Sequence, residues 1–519
     1  MKTFISSIQN YWNDHISKPV IARIIFIGLG ISATLWFLIR VIPKPQRAAY
    51  PCMQASAPIM SGFVIYLLTL TGSMAAFRKA KFNFTKAKYL YAIVFLFIAI
   101  GGSIVFFVQN PGELFAGTTP EWIIKANDPI GTARGINAGR VVWVHDPKVA
   151  KWDGTNGFWW DDSWTSQAES DKMMKQTLLS LTGEKNLTNA WDVLFVSFNK
   201  TKKLKKGGYK ANQKIAIKIN ANNNSAQTSS NEINASPQVT LAMLRTLMND
   251  AHISQENITV FDASRFITDN IYDKCHKEFP DVIFVDNVGG NGRVKSTYVD
   301  NAIPYSADNG KLAQGLATCA VKADYLINIA LLKGHVGQGV TLCAKNYYGV
   351  TSINNDWRKN AHNNFDQDRQ GNAKYMTFVD FMGHKDLGEK TMLFLLDGLY
   401  GAKLVNGIPA PKWQMAPFNN SWPCSLFASQ DGVAIDAVGL DFLRSEWPDM
   451  VDIAFSDQYL IEAALANNPP SKTVYDPEKD GTHIASLGIM EHWNNTKDKK
   501  YSKNLGKKNG IELIQKTVE

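Results

Sequence analysis

Three long hydrophobic runs near the N-terminus constrain this chain more than any other feature of its sequence. They cover residues 21–42, 57–77 and 89–109, and the only charged residues within them are Arg23 and Arg40. Each run has the length of roughly 20 residues with which an α-helix crosses a bilayer core. The first run is too long for a cleavable signal peptide, and no A-x-A-like site follows it. The sequence therefore predicts a membrane anchor of three transmembrane helices within residues 1–110.

Basic residues beside these runs predict the orientation of the anchor. The loop between the second and third runs has no acidic residue and five basic ones, which are Arg78, Lys79, Lys81, Lys86 and Lys88. The positive-inside rule places this loop in the cytoplasm, although the first loop is basic as well. We therefore expect a protein of the cytoplasmic (inner) membrane whose large C-terminal domain lies on the extracytoplasmic, periplasmic side.

The positive charge of the chain is concentrated in the anchor. The formal net charge is +9, and residues 1–118 contain 11 Lys/Arg against 2 Asp/Glu. The remaining 401 residues contain 44 residues of each sign. A nucleic-acid-binding domain carries a basic surface of its own. The expected partner of the basic region is therefore the lipid bilayer, and no nucleic acid is expected.

The residues after the anchor predict a large α/β domain. Residues 111–210 are rich in aromatic residues and are interpreted as a wrapping segment with helices that lead into the main domain. From 211 to 519, short β-branched runs alternate with turns or helices. Such continuous apolar strands are typical of a parallel or mixed central sheet with helices on both faces. We expect this α/β fold to follow the three transmembrane helices.

Six of the predicted strands end in a polar residue. The runs are KIAIKIN, NITVFD, VIFVD, YLINIALLKGH, TMLFLLDG and LFASQD, and the polar residues are Asn220, Asp262, Asp286, His335, Asp397 and Asp431. Ligands of open α/β sheets bind at the carboxyl ends of the strands. A single Asp in such a place is more often a turn residue. Six together predict a site at this edge of the sheet.

A glycine-rich segment, residues 333–349, is the densest candidate site. Gly334, Gly337 and Gly339 permit a close approach of the backbone, so that exposed N–H groups would favour an anion. Lys333 and Lys345 would add positive charge. The spacing matches neither a Walker A loop nor the dinucleotide GxGxxG pattern. The alternative is a glycine-rich loop that only packs tightly.

Further candidate residues follow from the same segments. His335 would serve as a general acid or base or as a metal ligand, and Asn346 lies close in sequence. Lys218, inside an apolar strand and followed by Asn220, is costly to bury unless it reaches an anion. Asp397 and Asp431 are candidates for acid–base or metal chemistry, with capping of a helix as the alternative for Asp431. Asp436 needs a partner if it is buried.

Cysteine spacing gives no sign of a metal cluster. None of the five cysteines forms a CxxC pair, so neither an iron–sulfur cluster nor a zinc site is indicated, and the identity of any metal stays open. Isolated cysteines are usually buried apolar residues. A disulfide among the last four remains an alternative, and these residues are Cys275, Cys319, Cys343 and Cys424.

Several of these stretches resemble the bacterial family known as domain of unknown function 362. The similar stretches are KIAIKIN, LLKGHVGQGVTLCAKNYYG, LFLLDGLYG and LFASQDGVAIDAVG, and the tail SLGIMEHWNN with YSKNLGKKNGIEL is similar to the ending of exported members. The resemblance covers about 120–519 and implies no particular reaction. It supports as site positions Lys218, Asn220, Lys333, His335, Lys345, Asn346, Asp397, Asp431 and Asp436. Some members carry ferredoxin-like cysteine motifs, which implies a redox partner. This chain contains no such cysteine motif.

Two functions are consistent with these features. The first is an enzyme that binds a small anionic substrate at the glycine-rich Lys/His loop outside the cytoplasmic membrane. The second is a non-catalytic binding or assembly component of an envelope complex, with a membrane or redox protein as its partner. In the second case Trp159, Trp160 and Trp164 would mark an interface, since aromatic residues anchor interfaces. The alternative for these tryptophans is an ordinary place in the core.

Overall fold

A computed structural model describes most of the chain after the predicted anchor. The described residues are 124–518 except 203–206, 223–225, 308–312, 336–338, 353–374, 405–406 and 450–455, together with nine isolated positions between 31 and 82. The predicted spans 57–77 and 89–109 and most of 21–42 lie outside the described residues. Within the residues that are described, no helix is both long enough and apolar enough to cross a membrane. The chain divides into two compact units, 1–121 and 122–519.

The second unit is an α/β structure. Its strands are β1 (Ile130–Gly131), β2 (Arg140–His145), β3 (Ile215–Ile219), β4 (Ile258–Phe261), β5 (Ile283–Asp286), β6 (Val294–Lys295), β7 (Tyr298–Val299), β8 (Leu316–Ala317), β9 (Tyr325–His335), β10 (Gly339–Thr341), β11 (Thr391–Ala402), β12 (Ser425–Ser429), β13 (Ile489–Met490) and β14 (Glu512–Thr517). All six apolar runs that the sequence predicts to end in a polar residue form strands.

Helices separate most of these strands. They are α1 (Gln167–Thr182), α2 (Leu187–Thr201), α3 (Pro237–Arg245), α4 (Asp269–Glu278), α5 (Thr318–Lys322), α6 (Cys343–Asn346), α7 (Thr377–Gly383), α8 (Gly432–Glu446) and α9 (Gln458–Ala464). A π turn covers Thr246–Asp250, and short 3₁₀ turns cover Gln255–Asn257, Tyr347–Val350, Gly388–Lys390 and Lys503–Leu505. Helix α3 begins as its sequence predicts, because the Ser236 side chain accepts the N–H of Val239 and Pro237 fills the first turn.

Ten of the strands in the described part of the chain form the central sheet. Its order is β14-β2-β12-β11-β9-β3-β4-β5-β6, and β10 pairs with the end of β9. The strands from β11 to β6 run parallel to one another. Strand β12 is antiparallel to both of its neighbours, β11 and β2. The predicted α/β class with a mixed central sheet is confirmed.

Helices cover both faces of this sheet, which explains why its strands are apolar throughout. Along β9, Ile327 and Ile329 point into a core shared with α1 to α4, whereas Leu326 and Ala330 point into a core shared with α5 to α9. Side chains alternate between faces along a strand. All eleven residues of β9 are buried as a result.

The reversed direction of β12 corrects one expectation from the sequence. Asp431 follows β12, and the register pairs Ser429 with Phe394 near the start of β11. Asp431 therefore lies at the edge where the parallel strands begin, opposite to the edge that contains His335. Asp397 also differs from its expected place, because β11 continues to Ala402 and Asp397 lies inside the strand. An apolar run predicts a strand but carries no information about its direction.

A buried ionic cluster holds the C-terminal tail against helix α8. His492 Nδ1 lies 2.6 Å from Asp441 Oδ1, and His492 Nε2 lies 3.6 Å from Asp457 Oδ2. Arg444 also reaches Asp457, at 3.4 Å, and Tyr501 donates to Asp441 at 2.8 Å. Burial and Arg444 lower the pKa of His492, but the two carboxylates outweigh them and raise that pKa to about 9. The tail is thus fastened by an imidazolium between two aspartates.

We expect this cluster to make stability depend on pH. The pKa of His492 rises from 6.5 to about 9 on folding, so its stabilisation is complete below pH 6.5 and is lost as the pH rises through 9. His492→Gln should lower the free energy of unfolding by about 3 kcal/mol at pH 6 and much less above pH 9. Unfolding followed by tryptophan fluorescence at both pH values measures this difference. The exposed His483→Gln is the control, and an equal loss at both pH values would contradict the prediction.

Candidate functional site

The carboxyl ends of β3, β4 and β9 bring several predicted site residues together. Strand β3 lies between β4 and β9, and its last residue, Ile219, pairs with Ile329 of β9. Strand β9 continues for six residues beyond that point, to His335. Side chains from the end of β3 therefore meet side chains from the loop after β4 and from the segment after β9.

Lys218 forms a buried ion pair at this edge. Its Nζ donates to Asp262 Oδ2 at 2.9 Å, to Asn346 Oδ1 at 2.8 Å and to the Ile219 carbonyl at 2.6 Å. The side chains of Lys218 and Asp262 are 1% and 2% exposed. Burial lowers the pKa of Lys218, and Asp262 opposes that effect. The predicted need of this lysine for an anion is met within the protein, and all three of its N–H donors are used.

An asparagine network surrounds this ion pair. Asn346, in helix α6, accepts from Asn220 Nδ2 at 3.1 Å and donates to Asn328 Oδ1 at 2.8 Å. Asn328 Nδ2 in turn donates to the carbonyl of Cys343 at 3.0 Å. Hydrogen bonding of this kind satisfies polar groups that would be costly to bury alone. The network fixes α6 against the ends of β3 and β9.

Gly349 allows the backbone to pass directly over the ion pair. A Cβ atom at this position would lie 2.5 Å from Lys218 Nζ and 2.6 Å from Asp262 Oδ1. The carbonyl of Gly349 also accepts the N–H of Ala263 at 2.8 Å, beside Asp262. The last glycine of the segment 333–349 is therefore required by close packing.

Lys333 is a second buried lysine in a different electrostatic setting. It is 1% exposed, and its Nζ donates to Asn222 Oδ1 at 3.0 Å. Burial, together with the nearby positive charges of Lys345 and Arg265, lowers its pKa well below the ordinary value. The neighbouring cations Lys345 and Arg265 thus repel the Lys333 ammonium. The Lys218 ammonium, in contrast, is attracted by Asp262. An ammonium in this place would be stabilised by an added negative charge.

Two buried polar atoms beside these lysines have no hydrogen-bond partner among the residues that the structure describes. They are the Oδ1 atom of Asn220 and the Oγ1 atom of Thr341. Thr341 pairs with Lys333 across the β9–β10 hairpin, so both side chains lie on one face of it. Buried polar groups are nearly always hydrogen-bonded in proteins. These atoms are therefore available to a bound ligand.

The rest of the glycine-rich segment forms the hairpin itself. Gly334 lies in β9 opposite Val340, and Gly339 lies opposite His335 with a positive φ of 80°. His335 is buried at the end of β9. Lys345 Nζ lies 5.3 Å from the centre of the Tyr348 ring. Gly337 lies outside the described residues.

The three remaining predicted residues are aspartates that accept backbone N–H groups near helix starts. Asp397 accepts from Ser236, the residue that caps α3, at 2.9 Å. Asp436 accepts from Cys343 and Ala344 at the start of α6, at 2.8 and 2.9 Å. Burial raises the pKa of each to about 6, although these hydrogen bonds oppose it. Their oxygens hold the scaffold of the site in place.

Asp431 has the same relation to helix α8, at the other edge of the sheet. Its Oδ1 accepts from Val433 and Ala434 at 3.1 and 2.9 Å, and its Oδ2 accepts from Arg134 and Ile489 at 2.9 and 3.2 Å. Burial raises its pKa to about 6. Four backbone donors occupy this carboxylate, so capping, the alternative weighed for Asp431, is what the geometry favours.

Metal ligands and reactive thiols do not gather in the described part of the chain. No group of three or more His, Cys, Asp or Glu side chains there could hold a metal ion. Cys275, Cys319, Cys343 and Cys424 are free thiols. Burial raises the pKa of Cys275, Cys319 and Cys424 to about 12. Thiols of such high pKa are poor nucleophiles at neutral pH.

Comparison with known proteins finds similarity to one family over part of the chain. Residues 215–441 match the family described as Domain of unknown function (DUF362). This stretch is similar to that family. This match runs from β3 into α8 and is narrower than the resemblance over 120–519, but it includes every predicted site residue. No curated protein and no solved structure matches the chain.

The sequence contains signals for some residues of this candidate site and none for others. Asp262 was visible as a polar strand end, but its pairing with Lys218 depends on the order of the strands. Arg265 lies three residues after Asp262 in the turn DASR, and no sequence motif marks it as a site residue. Thr341 belongs to no sequence motif, and its place in β10 opposite Lys333 appears only in the structure.

We expect the two buried lysines to respond in opposite ways to the same substitution. Lys218→Met leaves Asp262 buried without its cation and should lower the free energy of unfolding by about 3–5 kcal/mol. Lys333→Met removes a buried amine that is repelled by the nearby Lys345 and Arg265, and should raise that free energy by about 1 kcal/mol. Thermal unfolding of both variants beside the exposed Lys172→Met tests this pair. Equal destabilisation by both changes would show that Lys333 is a structural residue like Lys218.

Proposed function

We propose that the DUF362-like domain binds a small anionic ligand at the carboxyl edge of its parallel strands and acts on it as an enzyme. The observation that carries this proposal is the convergence of Lys333, Lys345 and Arg265 beside two buried polar atoms without hydrogen bonds. A bound anion would offset the positive field around the Lys333 amine, which is costly in a buried site.

The chemistry of the lining indicates the kind of ligand. Lysine and arginine recognise carboxylate and phosphate oxygens through charge-assisted hydrogen bonds. Asn220 Oδ1 can accept a hydrogen bond from a ligand, and Thr341 Oγ1 can donate or accept one. A carboxylate or phosphate that also carries a hydroxyl or amino group would satisfy both. Lys218 and Asp262 would position Asn220 through Asn346.

The proposed acid–base groups are His335 and Asp397. His335 is two residues from Lys333 on the same strand, and side chains at this spacing point to the same face. Asp397 lies in the neighbouring strand β11, where it pairs with Leu331. Its pKa of about 6, raised by burial, is suited to proton transfer near neutral pH. Asp431 is left out of this role because it lies at the opposite edge of the sheet.

We propose that the chain is anchored in the cytoplasmic membrane with the DUF362-like domain on the periplasmic side. Three apolar runs and the basic loop between the second and third support this arrangement. Four described residues of the first run add support, because they are helical and have exposed apolar side chains; they are Ile31, Leu35, Trp36 and Ile39. The lipid bilayer is the partner that such side chains fit.

A role as an assembly component is the second candidate function. Trp159 gives it no support, because it is 1% exposed and packs on Tyr400 in the core. The observation in its favour is an aromatic stack between Phe158 and Trp160, whose ring centres are 4.7 Å apart. Phe158 is 40% exposed. A membrane or redox partner that docks on this stack would copurify with the chain in mild detergent.

We expect calorimetry on the purified full chain to detect binding of phosphate or of a small hydroxy-carboxylate. Lys333→Met and Lys345→Met should each weaken that binding at least tenfold, which corresponds to about 1.4 kcal/mol. Binding should also weaken with added salt. Lys172→Met, an exposed lysine of α1, is the matched control. Unchanged affinity in both site variants, or no binding of any of these anions, would rule the site out.

We expect the proposed orientation to appear in protease protection. External protease added to spheroplasts should degrade the domain after residue 122, because that domain would lie outside the membrane. A cytoplasmic protein in the same cells is the control for intact membranes. A domain that stays protected until the cells are lysed would reverse the orientation.

A further inference from the structure

A cleft of about 870 Å³ opens at the amino edge of the sheet, opposite to the carboxyl-edge site. Its walls come from the start of β11 at Thr391, the end of α2 from Ser197 to Lys202, and the loop 133–135. Thr391 pairs with Leu326, seven residues before Lys333 on β9. At about 3.3 Å per residue, the cleft lies about 20 Å from the Lys333 side chain. The described residues that line it include no predicted site residue.

The floor of the cleft is apolar and rich in sulfur and aromatic rings. Phe198, Met382, Met392, Phe394 and Leu487 line it, and each is less than 9% exposed. Methionine sulfur makes favourable contacts with aromatic rings, and phenylalanine rings pack edge-to-face or offset on other rings. This combination favours a flat aromatic group over a sugar or a polar chain.

The rim of the cleft carries a fixed group of charges. Arg134 Nη1 lies 2.5 Å from Glu389 Oε1, and Lys202 forms an ion pair with Glu389 Oε2. Arg134 Nη2 also donates to the carbonyl of Ser486 at 2.7 Å, which fixes its plane. Burial raises the pKa of Glu389, but Arg134 and Lys202 outweigh burial and leave that pKa lowered. Two cations therefore share one ionised carboxylate.

Net positive charge and partial exposure make this rim suitable for a negative group. The charged side chains among the described residues that line the cleft are Arg134, Lys202 and Glu389, with a sum of +1. Their side chains are 34%, 24% and 28% exposed. A ligand can thus reach both cations without unfolding the wall. Ligand sites are usually apolar clefts of 300–1,000 Å³ with a few fixed polar groups.

We propose that this cleft is a second binding site, specific for a small aromatic carboxylate. The aromatic ring would lie on the methionine and phenylalanine floor, and the carboxylate would contact Arg134 and Lys202 at the rim. Glu389 would compete with the ligand for these two cations while holding them in place in its absence. The site is independent of the proposed function of the carboxyl edge.

The test uses three naphthalene probes that share one ring system. The probes are 2-naphthoate, the neutral 2-naphthamide and the cationic 2-naphthylmethylammonium, each titrated by calorimetry into the purified full chain. We expect 2-naphthoate to bind at least tenfold more tightly than 2-naphthamide, because only the carboxylate reaches the cations with full charge. No binding is expected for the cation. Equal affinity for the acid and the amide would overturn the proposal.

Substitutions at the rim separate this site from non-specific binding. Arg134→Gln should weaken the binding of 2-naphthoate at least tenfold. Glu389→Gln should strengthen that binding severalfold, because the competing carboxylate is gone. If Arg134→Gln fails to fold in a thermal unfolding check, Lys202→Gln replaces it. Lys172→Gln and Lys333→Met are controls that should leave the affinity unchanged. Loss of 2-naphthoate binding in Lys333→Met, or weaker binding in Glu389→Gln, would assign the ligand elsewhere.

Discussion

Buried carboxylates that accept backbone N–H groups fix the starts of three helices in this domain. Asp397 does so for α3, Asp436 for α6 and Asp431 for α8. The pKa of each is raised to about 6 by burial, so an ionised carboxylate costs folding free energy at neutral pH. Helix starts leave N–H groups without partners inside the helix. The carboxylates match that need, and the helix positions around both sites depend on them.

Much of the fold was predictable because the signals for it are local. A continuous apolar run identifies a strand wherever it is buried on both faces, and Ser236 with Pro237 identifies the start of α3. The direction of β12 was not predictable, since reversing a strand leaves its composition unchanged. That one reversal moved Asp431 from the expected site to the other edge. Strand order likewise decided that Lys218 would meet Asp262 rather than a ligand.

The two buried lysines show the limit of sequence reasoning about a site. Lys218 and Lys333 both interrupt apolar strands and look equivalent in sequence. Only the structure separates them, because Asp262 lies beside Lys218, whereas Lys345 adds to the positive charge near Lys333. A lysine among cations is an unusual thing to bury. This difference gives the carboxyl edge its proposed role, while the amino-edge cleft had no sequence signal because its charges come from three distant segments.

Strands β2 and β14 complete the sheet, and this limits which part of the gene could be transferred to another gene as a folding unit. Both strands lie outside residues 215–441. Strand β2 nevertheless pairs with β12 along five residues, and β14 pairs with the other edge of β2. Asp431 also holds Arg134 and Ile489, one on each side of the matched stretch. A gene fragment limited to that stretch would encode a bare edge strand, which promotes aggregation. The stretch is therefore transferable between genes only together with flanks that supply a replacement edge.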